Sequence, residues 1–140
     1  MADQASNILS LDVGTVRIGV AIARLDIKLA GPLTAITNSP EVITDITKLA
    51  AEHNANTLVV GLPRGLDGQS TSQTRYVHDF VDKLKTTGLK IVFQDEALTS
   101  LKAEDELKSR DGGRRRYNKG DIDALAATYI LEDYLSSHEE

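Results

Sequence analysis

Four acidic residues, Asp12, Glu96, Asp121 and Asp123, stand where they could act together. Asp12 lies in the apolar stretch Ile8-Leu9-Ser10-Leu11-Asp12-Val13. An ionised carboxylate there is expensive unless it is paired or holds a metal. Glu96 follows Asp95 at the end of a short apolar segment, and Asp121 and Asp123 open the last periodic one. Carboxylates gathered in one place repel each other strongly unless a cation is present. Hard oxygen ligands suit Mg2+ or Mn2+, which share their coordination with water and phosphate. Two such ions about 3.5–4 Å apart would clamp the attacking and leaving oxygens of a phosphodiester displacement. Each acid also has an ordinary role open to it. Asp12 can accept backbone N–H groups in a turn, Glu96 can be a surface acid, and Asp121 or Asp123 can cap a helix or meet its dipole.

Convergence of these acids depends on the elements that carry them. Ile8 to Leu11 lacks helical spacing and suits a buried central strand. Gly14 is expected to supply a tight turn at φ values other residues resist. Ile18 to Ala23 is a second run with the β-branched residues of a strand. Ile27 to Ile36 reads as a third strand, interrupted by Gly31-Pro32 and therefore at an edge or bent there. Ser39-Pro40-Glu41 gives an N-cap, a first-turn proline and a first-turn acid for a helix over 40–53, closed by Asn54 and Asn56. Thr57 to Leu62 is the next strand. A loop over 63–72 leads to a helix with the stripe Val77, Phe80, Val81 and Leu84, stopped by Gly88. Lys90 to Gln94 is a strand that delivers Asp95 and Glu96 at its end. Leu101 to Lys108 reads as a short helix, 109–118 as a mobile loop, and Ile122 to Leu135 as a long helix burying Ile122, Leu125, Ala126, Tyr129 and Ile130. The order βββαβαβα plus a final helix implies an α/β fold with a mixed five-stranded sheet and helices on its faces. Ligands of such sheets sit at the carboxyl ends of parallel strands, where Asp95 and Glu96 would lie.

The 140 residues are enough for a single domain with one proper core. Hydrophobic content of 41% and charged content of 26% are those of an ordinary globular chain rather than a disordered one. The absence of cysteine excludes disulfides, thiolate metal sites and cysteine nucleophiles. The N-terminus lacks a signal peptide's basic start and apolar core, and no apolar run approaches the roughly 18 residues of a membrane helix. A cytoplasmic protein without a membrane partner is expected. A net charge of −5 argues against indiscriminate nucleic-acid binding, yet Arg110, Arg114, Arg115, Arg116 and Lys119 form a local basic patch against Asp111.

Four motifs, in order and at matching distances, resemble the YqgF-type (RuvX-like) bacterial proteins. They are Leu-Asp-Val-Gly-Thr-Val-Arg-Ile-Gly-Val-Ala (11–21), Val-Gly-Leu-Pro-Arg-Gly-Leu-Asp-Gly (60–68), Asp-Glu-Ala-Leu-Thr-Ser (95–100) and Lys-Gly-Asp-Ile-Asp-Ala-Leu-Ala-Ala (119–127). The resemblance covers nearly the whole chain. It implies a ribonuclease H-like fold and a metal-dependent nuclease. Family members are described both as Holliday junction resolvases and as nucleases that mature the 5′ end of pre-16S ribosomal RNA. The family pattern places its acidic triad, and with it Mg2+ or Mn2+, on Asp12, Glu96 and Asp123. Asp123 is favoured over Asp121 because the family's acid immediately precedes the small-residue run that begins at Ala124. Two positions depart from the pattern. Ala97 stands where the family usually has Arg, and Val16 where it commonly has Lys, so two positive charges beside the site are missing.

Other residues fit as substrate contacts. Arg17 could hold a phosphate bidentately, or could pair with one of the site's own acids. Arg64 stands in the glycine-containing stretch 61–68, which lacks the Lys-Ser/Thr pair of a P-loop. Arg114, Arg115, Arg116 and Lys119 could track a nucleic-acid backbone and Tyr117 stack a base, or that loop could simply be solvated. His53, His78 and His138 lack metal spacing and read as surface residues. Structured RNA is the expected partner and branched DNA the runner-up, with the chain a monomer or homodimer. Two other classes compete. The Asp-x-Gly-Thr hairpin also opens actin-like and sugar-kinase domains, though those close two such domains over ATP. A nucleic-acid-binding module that keeps the fold without turnover is the third reading, kept open by Ala97.

Overall fold

Period-two alternation in the first strand builds two cores at once. Leu9, Leu11 and Val13 join one buried cluster, while Ile8 joins another on the opposite face. The computed structural model describes residues 7–24, 26–63, 72–96 and 119–137. These form β1 (Asn7–Val13), β2 (Arg17–Arg24), β3 (Leu29–Thr37), α1 (Val42–Glu52), β4 (Ala55–Pro63), α2 (Ser72–Leu84), a 3₁₀ turn (Lys85–Thr87), β5 (Lys90–Glu96) and α3 (Lys119–Ser137). The sheet order is β3-β2-β1-β4-β5. β1 pairs antiparallel with β2 and β2 with β3, whereas β1–β4 and β4–β5 are parallel. The mixed α/β sheet is the one expected from the element order. The expected helix over Leu101–Lys108 and loop over 109–118 fall outside the described residues.

One face carries α1 and α2. Val42, Ile46 and Ala50 of α1 and Val77, Phe80, Val81 and Leu84 of α2 pack on Leu9, Leu11, Ile18, Val20, Leu58, Val60 and Leu62. The other face carries α3, whose Ala127, Ile130 and Leu131 lie on Ile8, Ala21, Ala23 and Val59. Central strands buried on both faces explain why their sequences are apolar throughout instead of alternating with polar residues. Among the described residues, no helix is long and apolar enough to cross a membrane.

Several element boundaries differ from the sequence expectation, each for a local reason. Ile27 and Lys28 turn the chain, with Lys28 at φ 51, and the third strand begins at Leu29. The Gly31-Pro32 interruption lies on the edge strand β3, as proline's missing donor requires, and is absorbed by a register shift that leaves Leu33 between the pairs Val20–Thr34 and Ala21–Pro32. α1 starts at Val42 rather than residue 40. Ser39 Oγ accepts the N–H of Glu41 at 3.2 Å, so its side chain closes the turn before the helix and leaves the helix without a side-chain cap. Asn54, at φ 53, does end the helical path, but Asn56 already belongs to β4. Gly88, at φ 84, closes the 3₁₀ turn after α2 in the left-handed conformation that glycine tolerates. α3 begins at Lys119, three residues before Ile122. Its expected inward stripe proves to be two stripes. Ile130 faces the sheet, whereas Ile122, Leu125, Ala126 and Tyr129 form a separate cluster.

Candidate active site

Asp12 is the penultimate residue of β1 and shares its side of the strand with Ile8 and Ser10, beneath α3. Its partner on β2 is Gly19. A Cβ on Gly19 would stand 2.0 Å from the backbone oxygen of Asp123, so the missing side chain lets α3 rest directly on the strand. One helical turn later, Ser10 Oγ donates to the carbonyl of Ala127 at 2.6 Å. The two contacts are four residues apart on the helix and two apart along the paired strands, about 6 Å in either case. α3 therefore runs antiparallel to β1, with its first turns over the carboxyl end of that strand. This seating brings Asp123 to Asp12. Asp121 lies two positions earlier on the helix, about 200° round its axis, and is exposed.

The electrostatics follow from that seating. Burial pushes the Asp12 carboxyl up from 3.8 to about 6, and the charge on Asp123 adds to the effect. Arg17, the first residue of β2, donates from Nε to Asp123 Oδ2 at 2.6 Å. The bond is short and charge-assisted, with the arginine and aspartate side chains 34% and 20% exposed. Of the two roles open to Arg17, the structure gives it the pairing with a site acid. Two carboxylates and one guanidinium leave one net negative charge at the site when all are ionised. Their oxygens are hard donors that fit Mg2+ or Mn2+, and a divalent ion would relieve the repulsion on Asp12.

Glu96 is placed by its backbone alone. It ends β5, opposite Pro63, at the carboxyl edge of the parallel strands β1, β4 and β5. β4 lies between it and Asp12, and the register sets Glu96 two residues further along the strand direction, so the two backbones are roughly 12 Å apart. Among the described side chains no group of three metal-binding residues comes together, and the carboxylate of Glu96 is outside that set. Lys119 opens α3 and is exposed. Arg64, Arg114, Arg115, Arg116, Tyr117 and His138, with the departure at Ala97, lie outside the described residues. The other departure, Val16, is 62% exposed at the hairpin tip. His78 is on the surface against Phe93, ring centroids 4.9 Å apart, and His53 is partly exposed.

The turn between Asp12 and Arg17 corrects one expectation and adds three residues. Gly14 does not have a positive φ. Glycine is needed there because the Gly14 N–H bonds Arg17 O at 3.0 Å, and a Cβ would lie 2.7 Å from that oxygen. Asn38 donates from Nδ2 to Gly14 O at 2.8 Å and to Tyr76 Oη at 2.8 Å, and its backbone N–H reaches Val16 O at 2.9 Å. Gln73 Nε2 donates to Val13 O at 3.2 Å. Sequence reasoning missed Asn38, Gln73 and Tyr76. They are distant from Asp12 along the chain, and a polar residue after a strand or in a helix's first turn carries no signal of its partner.

Comparisons with known proteins agree with this architecture. The RuvX family, described as a Holliday junction resolvase, matches residues 6–137. A protein of Chloroflexus aurantiacus named "Putative pre-16S rRNA nuclease" is 40% identical over 133 residues, covering 93% of this chain and 86% of its own. A protein of Cronobacter sakazakii with the same name is 37% identical over 137 residues, covering 96% and 99%. Among solved structures, Thermus thermophilus RuvC in complex with a Holliday junction substrate superposes with a TM-score of 0.57 at 11% identity, covering 96% and 98% of the two chains. The fowlpox virus Holliday junction resolvase gives 0.53 at 13% identity, covering 94% and 99%. At such identities these structures speak for the fold, which is ribonuclease H-like. A family match over nearly the full length, with relatives close to 40% identical, makes this chain a member of the RuvX family.

Proposed function

We propose that this chain is a metal-dependent endonuclease that hydrolyses phosphodiester bonds in the 5′-end processing of pre-16S ribosomal RNA, a cytoplasmic step of ribosome biogenesis. The observation that carries the reading is the meeting of Asp12 and Asp123 over Gly19, with Arg17 alongside. Asp12, Asp123 and Glu96 would hold Mg2+ or Mn2+. When bound, such an ion supplies an acidified water as nucleophile and offsets charge developing on the phosphate. The chain's own groups do the rest. Burial of Asp12 keeps its carboxylate in a weakly screened setting that favours a cation. Arg17, at the start of β2, fixes the rotamer of Asp123 through Nε, and the rest of its guanidinium would meet a phosphate brought to the acids. Lys119, Arg64, Arg114, Arg115, Arg116 and Tyr117 would contact the strand on either side of the cut.

The likeness to resolvase folds and the family's description favour a four-way DNA junction as the second substrate class. A monomer suffices for trimming one RNA strand, whereas a junction cut on two strands calls for a homodimer. The deciding experiment offers a 5′-extended 16S precursor and a four-way DNA junction side by side, in Mg2+, Mn2+ or chelator, with Asp12→Asn as control. Metal-dependent cutting of the precursor that disappears in the variant is the expected result. Cutting of the junction alone would transfer the assignment to the resolvase reading. Cutting of neither by folded protein would leave a binding module.

A further inference from the structure

The exposed hairpin tip beside the acids is held by hydrogen bonds rather than by burial. Thr15 and Val16 are both exposed, so apolar packing fixes little of the turn's position. A two-stranded hairpin end also twists readily when nothing restrains it. Three backbone carbonyls between Asp12 and Arg17 are nonetheless engaged from outside the hairpin. Val13 O accepts from Gln73 on α2, Gly14 O from the Asn38 side chain and Val16 O from the Asn38 backbone. Asn38 sits just after β3, and its second side-chain bond, to Tyr76 Oη, ties that junction to α2 as well. One side chain thereby joins the turn, the end of β3 and α2. Removing its amide would leave the Gly14 carbonyl without this donor and cut the Asn38 tie between the turn and α2, leaving the turn held from outside by the Gln73 bond and the Asn38 backbone bond.

We propose that Asn38, seconded by Gln73, is a positioning residue of the active site, fixing the 14–16 turn and thereby the placement of Asp12 relative to Arg17 and Asp123. The proposal rests on the reading that Asp12 and Asp123 hold a divalent ion. The hydrogen bonds described for Asn38 go to Gly14, Val16 and Tyr76 and none to the acids, so it acts through the turn. Its substitution should change metal affinity and turnover while leaving substrate affinity nearly alone.

The test uses the full chain with Asn38→Asp, which keeps the volume but sets an acceptor against Gly14 O, and with Gln73→Ala. Ile46→Val, a one-methyl loss in the buried core on α1 that removes none of the turn's hydrogen bonds, serves as the control for general loosening. Mn2+ affinity is measured by calorimetry without nucleic acid, well below each melting temperature. kcat and KM are then measured on whichever substrate the wild type cuts. Asn38→Asp should weaken Mn2+ binding fivefold or more and lower kcat at least tenfold with KM within twofold. Gln73→Ala should give a smaller loss in the same direction, and Ile46→Val should change neither quantity. Mn2+ affinity and kcat in Asn38→Asp that match the wild type, or fall no further than in Ile46→Val, would overturn the proposal while leaving the nuclease reading intact. Should Asn38→Asp fail to fold, unchanged Mn2+ affinity in Gln73→Ala overturns it. A wild type that binds no Mn2+ brings down the metal reading and this proposal together.

Discussion

Asp12 and Arg17 concentrate the site's electrostatics, and each yields a prediction with a definite sign. Because the folded carboxyl of Asp12 is raised to about 6 from 3.8, its ionisation opposes folding. Below about pH 3.8 the acid is protonated in both states and there is no penalty. The penalty grows as pH rises through the window from about 4 to 6 and is complete above it. A shift of this size corresponds to on the order of 2–3 kcal/mol. Asp12→Asn should therefore gain that much stability at pH 7.5 relative to its effect at pH 3.5, read by urea unfolding in chelator. An equal effect at both pH values would refute the raised carboxyl. Arg17 acts in the opposite sense. Its guanidinium occupies Asp123 Oδ2 and repels an incoming cation. The pair is partly solvated, so the effect is at most about 1 kcal/mol. Arg17→Gln should tighten Mn2+ binding about threefold to fivefold while raising KM for the polyanionic substrate. Weaker Mn2+ binding in the variant would mean that the arginine supports the metal site instead of competing with it.

Two glycines control how closely α3 approaches the sheet, and the identity of the obstructing atoms separates them. A Cβ at Gly19 would meet the backbone oxygen of Asp123 at 2.0 Å and its carbon at 2.4 Å, neither of which can rotate away. A Cβ at Gly61 would meet the terminal Cδ1 of Ile130 at 2.4 Å, the movable end of a side chain. Gly19→Ala should therefore lower stability by about 3 kcal/mol and weaken Mn2+ binding tenfold, because lifting α3 carries Asp123 away from Asp12. Gly61→Ala should cost about 1 kcal/mol or less and leave metal affinity unchanged. Chemical unfolding and calorimetry on the two variants check this, and equal effects would mean that α3 does not set the site. The sequence also misleads about this helix in an instructive way. Residues 124–131 are buried without interruption, so α3 has no single apolar face for periodicity to reveal.

At the scale of the whole molecule, the site lies where parallel strand ends, one antiparallel neighbour and the start of a helix meet. A divalent ion binding there ties β1 to α3, elements more than 100 residues apart in the chain, and should stabilise the whole fold by mass action. At an ion concentration 100 times its Kd the gain is about 2.7 kcal/mol, visible as a higher melting temperature in Mg2+. Asp12→Asn should show no such rise, and an equal rise in both proteins would place the ion elsewhere. The sequence by itself determined the strand runs, their order along the chain, an edge or a bend for the Gly31-Pro32 strand, and the candidate acids. Those properties are written in local runs of apolar residues, in proline's missing donor and in motifs that survive as contiguous words. Only the tertiary structure decided that Gly19 seats Asp123, that Arg17 spends its Nε on Asp123, and that Asn38 and Gln73 hold the turn. Each of these is a contact between residues far apart in sequence, set by how closely a helix rests on a sheet, and residue spacing carries no record of that distance.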